Sequence, residues 1–141
     1  MIKQLSIFIQ NEVGSVASIT AVLKKHNINL RAIATFDTPQ FAILRMIVDQ
    51  PEKAKTLLIE SGFAVTMSDA IAVELEDKPG VLHDLLQLIA DAGIGINYIY
   101  SIVFRQKNVP LIIINTDNLD KTKQILIEKG YSVPDQEDVY L

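Results

Sequence analysis

The sequence predicts an α+β protein made of two ferredoxin-like units, each with the element order β, α, β, β, α, β. Two observations carry this prediction. A segment of about 70 residues is written twice along the chain, and each copy alternates strand and helix patterns in the same order. In this arrangement two helices cover one face of a four-stranded antiparallel sheet. We expect the two units to pair side by side.

The repeat is clearest in the second half of each copy. With an offset of 68 residues, DQPEKAKTLLIESGFAV (49–65) falls on DNLDKTKQILIEKGYSV (117–133), and eight positions are identical. With an offset of 66 residues, Gly14 falls on Gly80. Because loop closure depends weakly on loop length, a turn accommodates the change of offset. We therefore expect the domains to be 1–68 and 69–141.

The first half of each copy predicts a strand followed by a helix. Segments 3–10 and 70–77 alternate or run apolar, as strands do. After each glycine, apolar residues recur at helical spacing, which gives each helix one apolar face. These residues are Val16, Ile19 and Leu23 in the first copy and Leu82, Leu85, Leu86 and Ile89 in the second.

The second half of each copy predicts a hairpin, a helix and a last strand. The runs INLRAIATF and INYIYSIVF are rich in β-branched and aromatic residues, and each is followed by a turn and another apolar run. Pro51 suits the first turn of a helix, and Gly62 and Gly130 suit helix C-termini. The last strands are expected near 63–67 and 131–140.

Composition limits the classes of function. Of the 141 residues, 49% are hydrophobic and 21% charged, which is typical of a globular chain. The net charge is −4 with scattered lysines and arginines, so we expect no nucleic-acid partner. The chain has no cysteine, and we find no metal-ligand spacing, phosphate loop or cofactor motif. No apolar run is long enough to span a membrane and no signal peptide is evident, so we expect a cytoplasmic protein.

The segments NEVGSV (11–16) and EDKPGV (76–81) each make a tight corner between a strand and a helix. Glycine permits backbone angles that are closed to other residues, and proline fixes its own φ. Such a corner leaves backbone N–H groups at the helix N-terminus, where the helix dipole favours a carboxylate. We therefore expect an anion-binding corner in each copy.

The segment EDKPGVLHDLLQLIADAGIGINYI resembles the opening half of an ACT domain, a small-molecule sensing module. The signature of that family is Asp or Asn, then x-Pro-Gly-Val-Leu, a helix, and a Gly-Ile/Val-Asn-Ile segment. The segment QNEVGSVASITAVLKKHNINLRAI is less similar, because Val13 stands in place of the proline. Together the copies cover nearly the whole chain, which therefore resembles a free-standing tandem ACT protein.

The resemblance implies that an amino acid binds where the first helix of one domain faces a strand of its neighbour. The ligand would meet the loop backbone and Asn11 in the first copy, or Asp77 in the second. The family's second ligand position matches Asn29; in the second copy it is Gly95, and Asn97 lies two residues later. The candidate ligand-binding residues are Asn11, Glu12, Val13, Gly14, Ser15, Val16, Asn29, Asp77, Lys78, Pro79, Gly80, Val81, Leu82 and Asn97.

The resulting hypothesis is a non-enzymatic regulatory protein, without catalytic residues, that binds an amino acid and acts through a homodimer or a partner enzyme. Two alternatives stay open. Val13 and Gly95 are consistent with an assembly scaffold whose ligand sites have decayed. A small enzyme would use Asp77 and His83 as acid and base, although no third group orients the imidazole. Asp77 could also merely cap the following helix.

Overall fold

The structure of the protein is a computed structural model that describes residues 1–140. Contacts between residues divide the chain into two units. One unit comprises Lys3–Ser68, and the other comprises Asp69–Val139 together with Met1–Ile2. Each unit combines antiparallel strands with helices, so the predicted α+β, ferredoxin-like fold class is confirmed.

In the first unit, β3 lies between β1 and β2 and pairs with both in the antiparallel sense. Met46 is opposite Leu5 on one side and Ile33 on the other. The bounds of the elements are β1 (Ile2–Gln10), α1 (Ser15–Lys25), β2 (Leu30–Asp37), β3 (Phe41–Val48), α2 (Pro51–Glu60) and β4 (Ala64–Glu74), whose first half belongs to this unit.

The core of the first unit lies between one face of the sheet and the two helices. Alternate residues of β1, such as Leu5 and Ile7, are completely buried against Ile19 of α1 and Leu58 of α2. Because strand side chains alternate between faces, the other residues of β1 lie on the opposite face, where Phe8 is 45% exposed. The helices therefore cover one face of this sheet, as predicted.

In the second unit, β6 lies between the second half of β4 and β5, again in the antiparallel sense. Ile114 is opposite Ile71 on one side and Ile99 on the other. Its core includes Ile89 of the first helix and Leu126 of the second. The remaining elements are α3 (Val81–Asp91), β5 (Ile96–Phe104), β6 (Val109–Thr116), α4 (Leu119–Glu128) and α5 (Gln136–Tyr140).

Two predicted strand boundaries were wrong. The two separate strands expected at 63–67 and 70–77 are one continuous strand, β4, which ends at Glu74. The strand expected near 131–140 is replaced by irregular chain followed by α5. In the irregular segment, the Ser132 carbonyl accepts one hydrogen bond from Glu74 N at 3.0 Å. The buried Pro134 has no N–H to continue a ladder, which explains why pairing stops there.

One of the two pairs of lysines that the copies share has a structural role. Lys53 Nζ donates to the His26 carbonyl at 3.4 Å, and Lys121 Nζ donates to the Ala92 carbonyl at 3.3 Å. Both acceptors lie at the C-terminus of the first helix of their copy, where a cation is favourable. These lysines therefore join the second helix to the end of the first, in addition to facing solvent.

The second helices of the two copies differ at their N-termini, which gives a matched test. Asn118 Oδ1 accepts from Lys121 N at 3.1 Å, whereas the equivalent Gln50 makes no side-chain cap. We expect Asn118→Ala to lower the free energy of unfolding by about 1 kcal/mol, because a first-turn N–H loses its partner. Gln50→Ala should leave that free energy nearly unchanged. Urea unfolding followed by circular dichroism measures both, and equal losses would contradict the assignment.

Candidate functional site at the glycine corners

In both copies a glycine forms the corner between the first strand and the first helix. Gly14 and Gly80 both have φ of 86°, in the left-handed region. A Cβ at either position would meet no atom within 4 Å, so the backbone conformation, not space, requires glycine. In residues 1–140, no side chain caps α1 or α3. No side chain therefore competes with a ligand for the first-turn N–H groups of these helices.

The corner of the first copy is an exposed loop held by its own backbone. Glu12 N donates to the Gln10 carbonyl at 2.9 Å, and Ser15 N donates to the Glu12 carbonyl at 3.3 Å. Val13, which occupies the position of the ACT proline, is fully exposed. Val16 is half-buried and packs against the core. The structure thus places the candidate residues 11–16 together at one end of the first sheet.

The corner of the second copy contains one ion pair and one unpaired carboxylate. Lys78 Nζ lies 2.7 Å from Glu76 Oε2. This hydrogen bond and the charge of Lys78 lower the pKa of the Glu76 carboxyl, and the same contact raises the pKa of the Lys78 amine. Asp77 is exposed and makes no hydrogen bond or ion pair within the described part of the chain. It does not cap α3, so that interpretation of Asp77 is wrong.

A depression of about 440 Å³ lies beside Asp77. Its other walls are residues 101–103 of β5, Asn108 of the turn, and residues 109–110 at the start of β6. The backbone brings these segments together, because Leu75 N donates to the Pro110 carbonyl at 3.1 Å just before the corner. This volume is within the range of small-molecule sites. The arrangement therefore provides a carboxylate, two neutral polar side chains and partly apolar walls around one depression.

The second set of candidate residues lies at the other end of each sheet. The pairing of Gln10 with Phe41 places the first corner at the start of β3, whereas Asn29 N donates to Asp49 Oδ1 at 3.0 Å beyond the end of β3. An eight-residue strand such as β3 is about 25 Å long. Asn11 and Asn29 of one unit are therefore not brought together. Asn97 likewise lies by the end of β6, far from Asp77.

Gly95 and Asn97 of the second copy both have close neighbours within their own unit. A Cβ at Gly95 would collide with the Asp117 carboxylate, so no larger residue fits without moving that side chain. Asn97 is engaged within its own unit, because its Nδ2 donates to Asn115 Oδ1 at 2.8 Å. Asn115 Nδ2 in turn donates to the Asp69 carbonyl at 3.0 Å. The amide of Asn97 is thus part of a structural chain of hydrogen bonds.

The pair suggested for an enzyme has no support in the geometry. His83 and Asp77 are both exposed, and no hydrogen bond or ion pair joins them among the described residues. No group of three or more metal-ligating side chains occurs within residues 1–140. Ser101 and Asn108, which no sequence motif singled out, also line the depression beside Asp77. The signal that could have found them is the hairpin register, which returns residues 101–103 and 108–110 to the corner.

The family model of the ACT domain pair matches residues 1–140 of the chain. The protein therefore belongs to the ACT domain pair family, and the resemblance drawn from the corner motifs is confirmed. A comparison with curated protein sequences gave no match. None of the helices in residues 1–140 combines the length and the apolar character that crossing a membrane requires.

Solved structures share the fold of the chain. Protein BT0572 from Bacteroides thetaiotaomicron is 37% identical with a TM-score of 0.90, covering 99% of this chain and 95% of that chain. The ligand-free regulatory subunit of aspartate kinase from Thermus thermophilus is 17% identical with a TM-score of 0.66, covering 91% and 92%. The aspartate kinase from Synechocystis is 17% identical with a TM-score of 0.60, covering 89% of this chain and 24% of that chain.

The ion pair in the second corner makes a testable prediction. We expect Lys78→Met to raise the pKa of the Glu76 carboxyl toward its ordinary value of 4.5, because the hydrogen bond and the cation that stabilise the carboxylate are removed. Since the pKa of Glu76 is lower in the folded state than in the unfolded state, its ion pair with Lys78 stabilises the folded state above the unfolded-state pKa. This stabilisation is lost as the pH falls through the folded-state pKa. NMR titration of the Glu76 side chain measures this. An unchanged pKa in the variant would contradict the assignment.

Proposed function

We propose that the protein is a non-enzymatic regulatory protein that binds an amino acid at a glycine corner of at least one ACT domain. The observation that carries this proposal is the second corner. There, Asp77 has no partner in residues 1–140, lies beside a cavity of about 440 Å³ and precedes a helix without a side-chain cap. The carboxylate of an amino acid can bind the N–H groups at such a helix N-terminus. Its ammonium can bind the carboxylate of Asp77.

The candidate contacts divide between the copies. In the first copy we propose that the loop of residues 11–16 contacts the ligand, with Asn11 as its polar side chain. Asn29 of a neighbouring domain would supply a further contact. In the second copy we propose the loop of residues 77–82. The two asparagines lie too far from the corners of their own units for one ligand, so Asn29 and Asn97 act only if a neighbouring domain presents them.

The proposed mechanism is thermodynamic linkage. A ligand that binds the paired state of two domains, but not the separated state, stabilises the pairing by RT ln(1 + [L]/Kd), which is about 2.7 kcal/mol at a hundredfold excess over Kd. The same coupling changes the affinity of the paired state for any third component. We propose that the ligand thereby controls a homodimer or the association with a partner enzyme in the cytoplasm. No cofactor takes part.

The structural neighbours support a regulatory role. One of them is a regulatory subunit of aspartate kinase. Another is an aspartate kinase, and the match covers 24% of the kinase chain. At 17% identity, these matches support a shared fold and, in general terms, a regulatory role. They do not identify the ligand or the partner enzyme. The proposed partner is therefore either a second copy of this chain or an enzyme. The proposed domain bounds are 1–68 and 69–141.

One observation favours the scaffold alternative for the first copy alone. Val13 is fully exposed where the ACT motif has proline, and the exposed Phe8 and Phe41 line a mostly apolar depression at the same end of the first sheet. Contiguous exposed apolar surface suits contact with a protein surface. Under this alternative the first copy binds no metabolite and serves in assembly. The test below separates the two functions copy by copy.

We expect at least one of the twenty amino acids to raise the melting temperature of the purified protein, because a ligand that binds only the folded state stabilises it. Calorimetric titration of the strongest compound on Asp77→Ala and Asn11→Ala then identifies the copy that binds. Loss of binding in Asp77→Ala alone assigns the second corner. If no amino acid changes the melting temperature or releases heat on titration, the regulatory proposal is wrong and the scaffold replaces it.

A further inference from the structure

The acidic residues around the second corner are not equivalent. Glu74 Oε2 lies 3.0 Å from Lys107 Nζ, and Glu76 is paired with Lys78. Asp77 is the carboxylate in the run 74–77 that no lysine neutralises, and it is also the one that lines the depression of about 440 Å³. No lysine, arginine or histidine lines this depression. Its one formal charge is therefore negative.

The other polar groups of the depression are also unengaged. The side chains of Ser101 and Asn108 make no hydrogen bond in the described residues, and both line the cavity. Asn108 has φ of 52°, a left-handed conformation that asparagine tolerates in turns, and its N–H donates to the Phe104 carbonyl at 2.8 Å. The turn therefore fixes the backbone of Asn108 while its amide is available to a ligand.

The remaining wall of the depression is apolar. Val103 is 62% exposed, which is high for valine, and Val103 is paired with Pro110 in the hairpin register. Ile102 and Val109 complete this wall. A ligand with an apolar body would remove the Val103 side chain from water, which is favourable in proportion to the area covered. The cavity thus combines one anion, two neutral polar groups and an apolar surface.

The turn that carries Asn108 is held at both ends. Lys107 pairs with Glu74, and Gln106 Nε2 donates to the Asp138 carbonyl of α5 at 3.3 Å. Glu74 is on β4, just before the corner, so the ion pair ties the hairpin turn to the strand that leads to Asp77. The polar groups of the cavity therefore come from anchored segments.

We infer that this depression selects a compound with a primary ammonium group and a compact apolar body, and that Asp77, Ser101 and Asn108, not Asn97, determine its specificity. The inference rests on the proposed function and names the chemistry of one of its sites. The ammonium donates to the Asp77 carboxylate, the apolar body covers Val103, and the hydroxyl and amide receive the remaining polar atoms. Asn97 takes no part because Asn115 already binds its amide.

The test uses three compounds that share the same branched isobutyl group. Leucine carries the ammonium and the carboxylate, 3-methylbutylamine carries only the ammonium, and 4-methylpentanoate carries only the carboxylate. Each is titrated into the ¹⁵N-labelled full chain at pH 7 while amide chemical shifts are followed. We expect saturable shifts at Asp77, Ser101 and Asn108 with leucine and with the amine, and none with 4-methylpentanoate.

Variants locate the effect. We expect Asp77→Asn to weaken the amine about 10-fold or more, because a hydrogen bond between charged groups is lost. Ser101→Ala and Asn108→Ala should change the affinity for leucine relative to the amine. Asp120→Asn, which removes an exposed carboxylate of α4 that does not line the depression, serves as the control and should bind the amine as the unchanged chain does. Asn97→Ala tests whether Asn97 takes part, and it should also leave the affinity for the amine unchanged.

The outcomes separate the inference from the proposed function. If 4-methylpentanoate binds as well as the amine, or if Asn97→Ala abolishes binding while Asp77→Asn does not, the inference is overturned and the proposed function stands. The inference is again overturned if the three compounds leave the amide chemical shifts of residues 77, 101 and 108 unchanged while another amino acid changes those of residues 11–16. If none of the twenty amino acids binds, both are overturned.

Discussion

The arrangement of each unit depends on the left-handed glycine between its first strand and first helix. Gly14 and Gly80 have the same φ of 86°, and no crowding requires glycine at either position. The conformation turns the chain back over the sheet within a few residues, so that the apolar face of the helix reaches the core. It also leaves the helix N-terminus without a side-chain cap, because the capping position has no side chain. One backbone constraint therefore produces both the packing and the candidate site.

The two copies keep their structural contacts and differ in the chemistry of their corners. Lys53 and Lys121 make the same bond to the end of the first helix in their respective copies. The corners have diverged, because the first presents an asparagine and an exposed valine whereas the second presents a proline and an unpaired aspartate. Such divergence is expected when shared residues stabilise a fold and loop residues determine what it binds.

The sequence was sufficient to predict what depends on local pattern. Strand alternation, helical periodicity and the glycine corners gave the element order, since each is decided within a few residues. The prediction of the last strand failed because the buried Pro134 has no N–H to continue a ladder, and the chain beyond it forms α5, in which Val139 is buried. Ser101 and Asn108 line the same depression as Asp77 because of the register of β5 and β6, which the strand patterns alone do not set. The Asn97–Asn115 bond likewise depends on that register.

The most direct measurement is a crystal structure of the protein grown with the amino acid that stabilises it most. We predict electron density for the ligand at a glycine corner, with its ammonium at Asp77 and its apolar body over Val103 if the second copy is occupied. Density that contacts the loop of residues 11–16 would keep the regulatory function and move the site to the first copy. Density away from both corners, for example between α3 and α4 beside Leu88 and Ile125, would contradict the account.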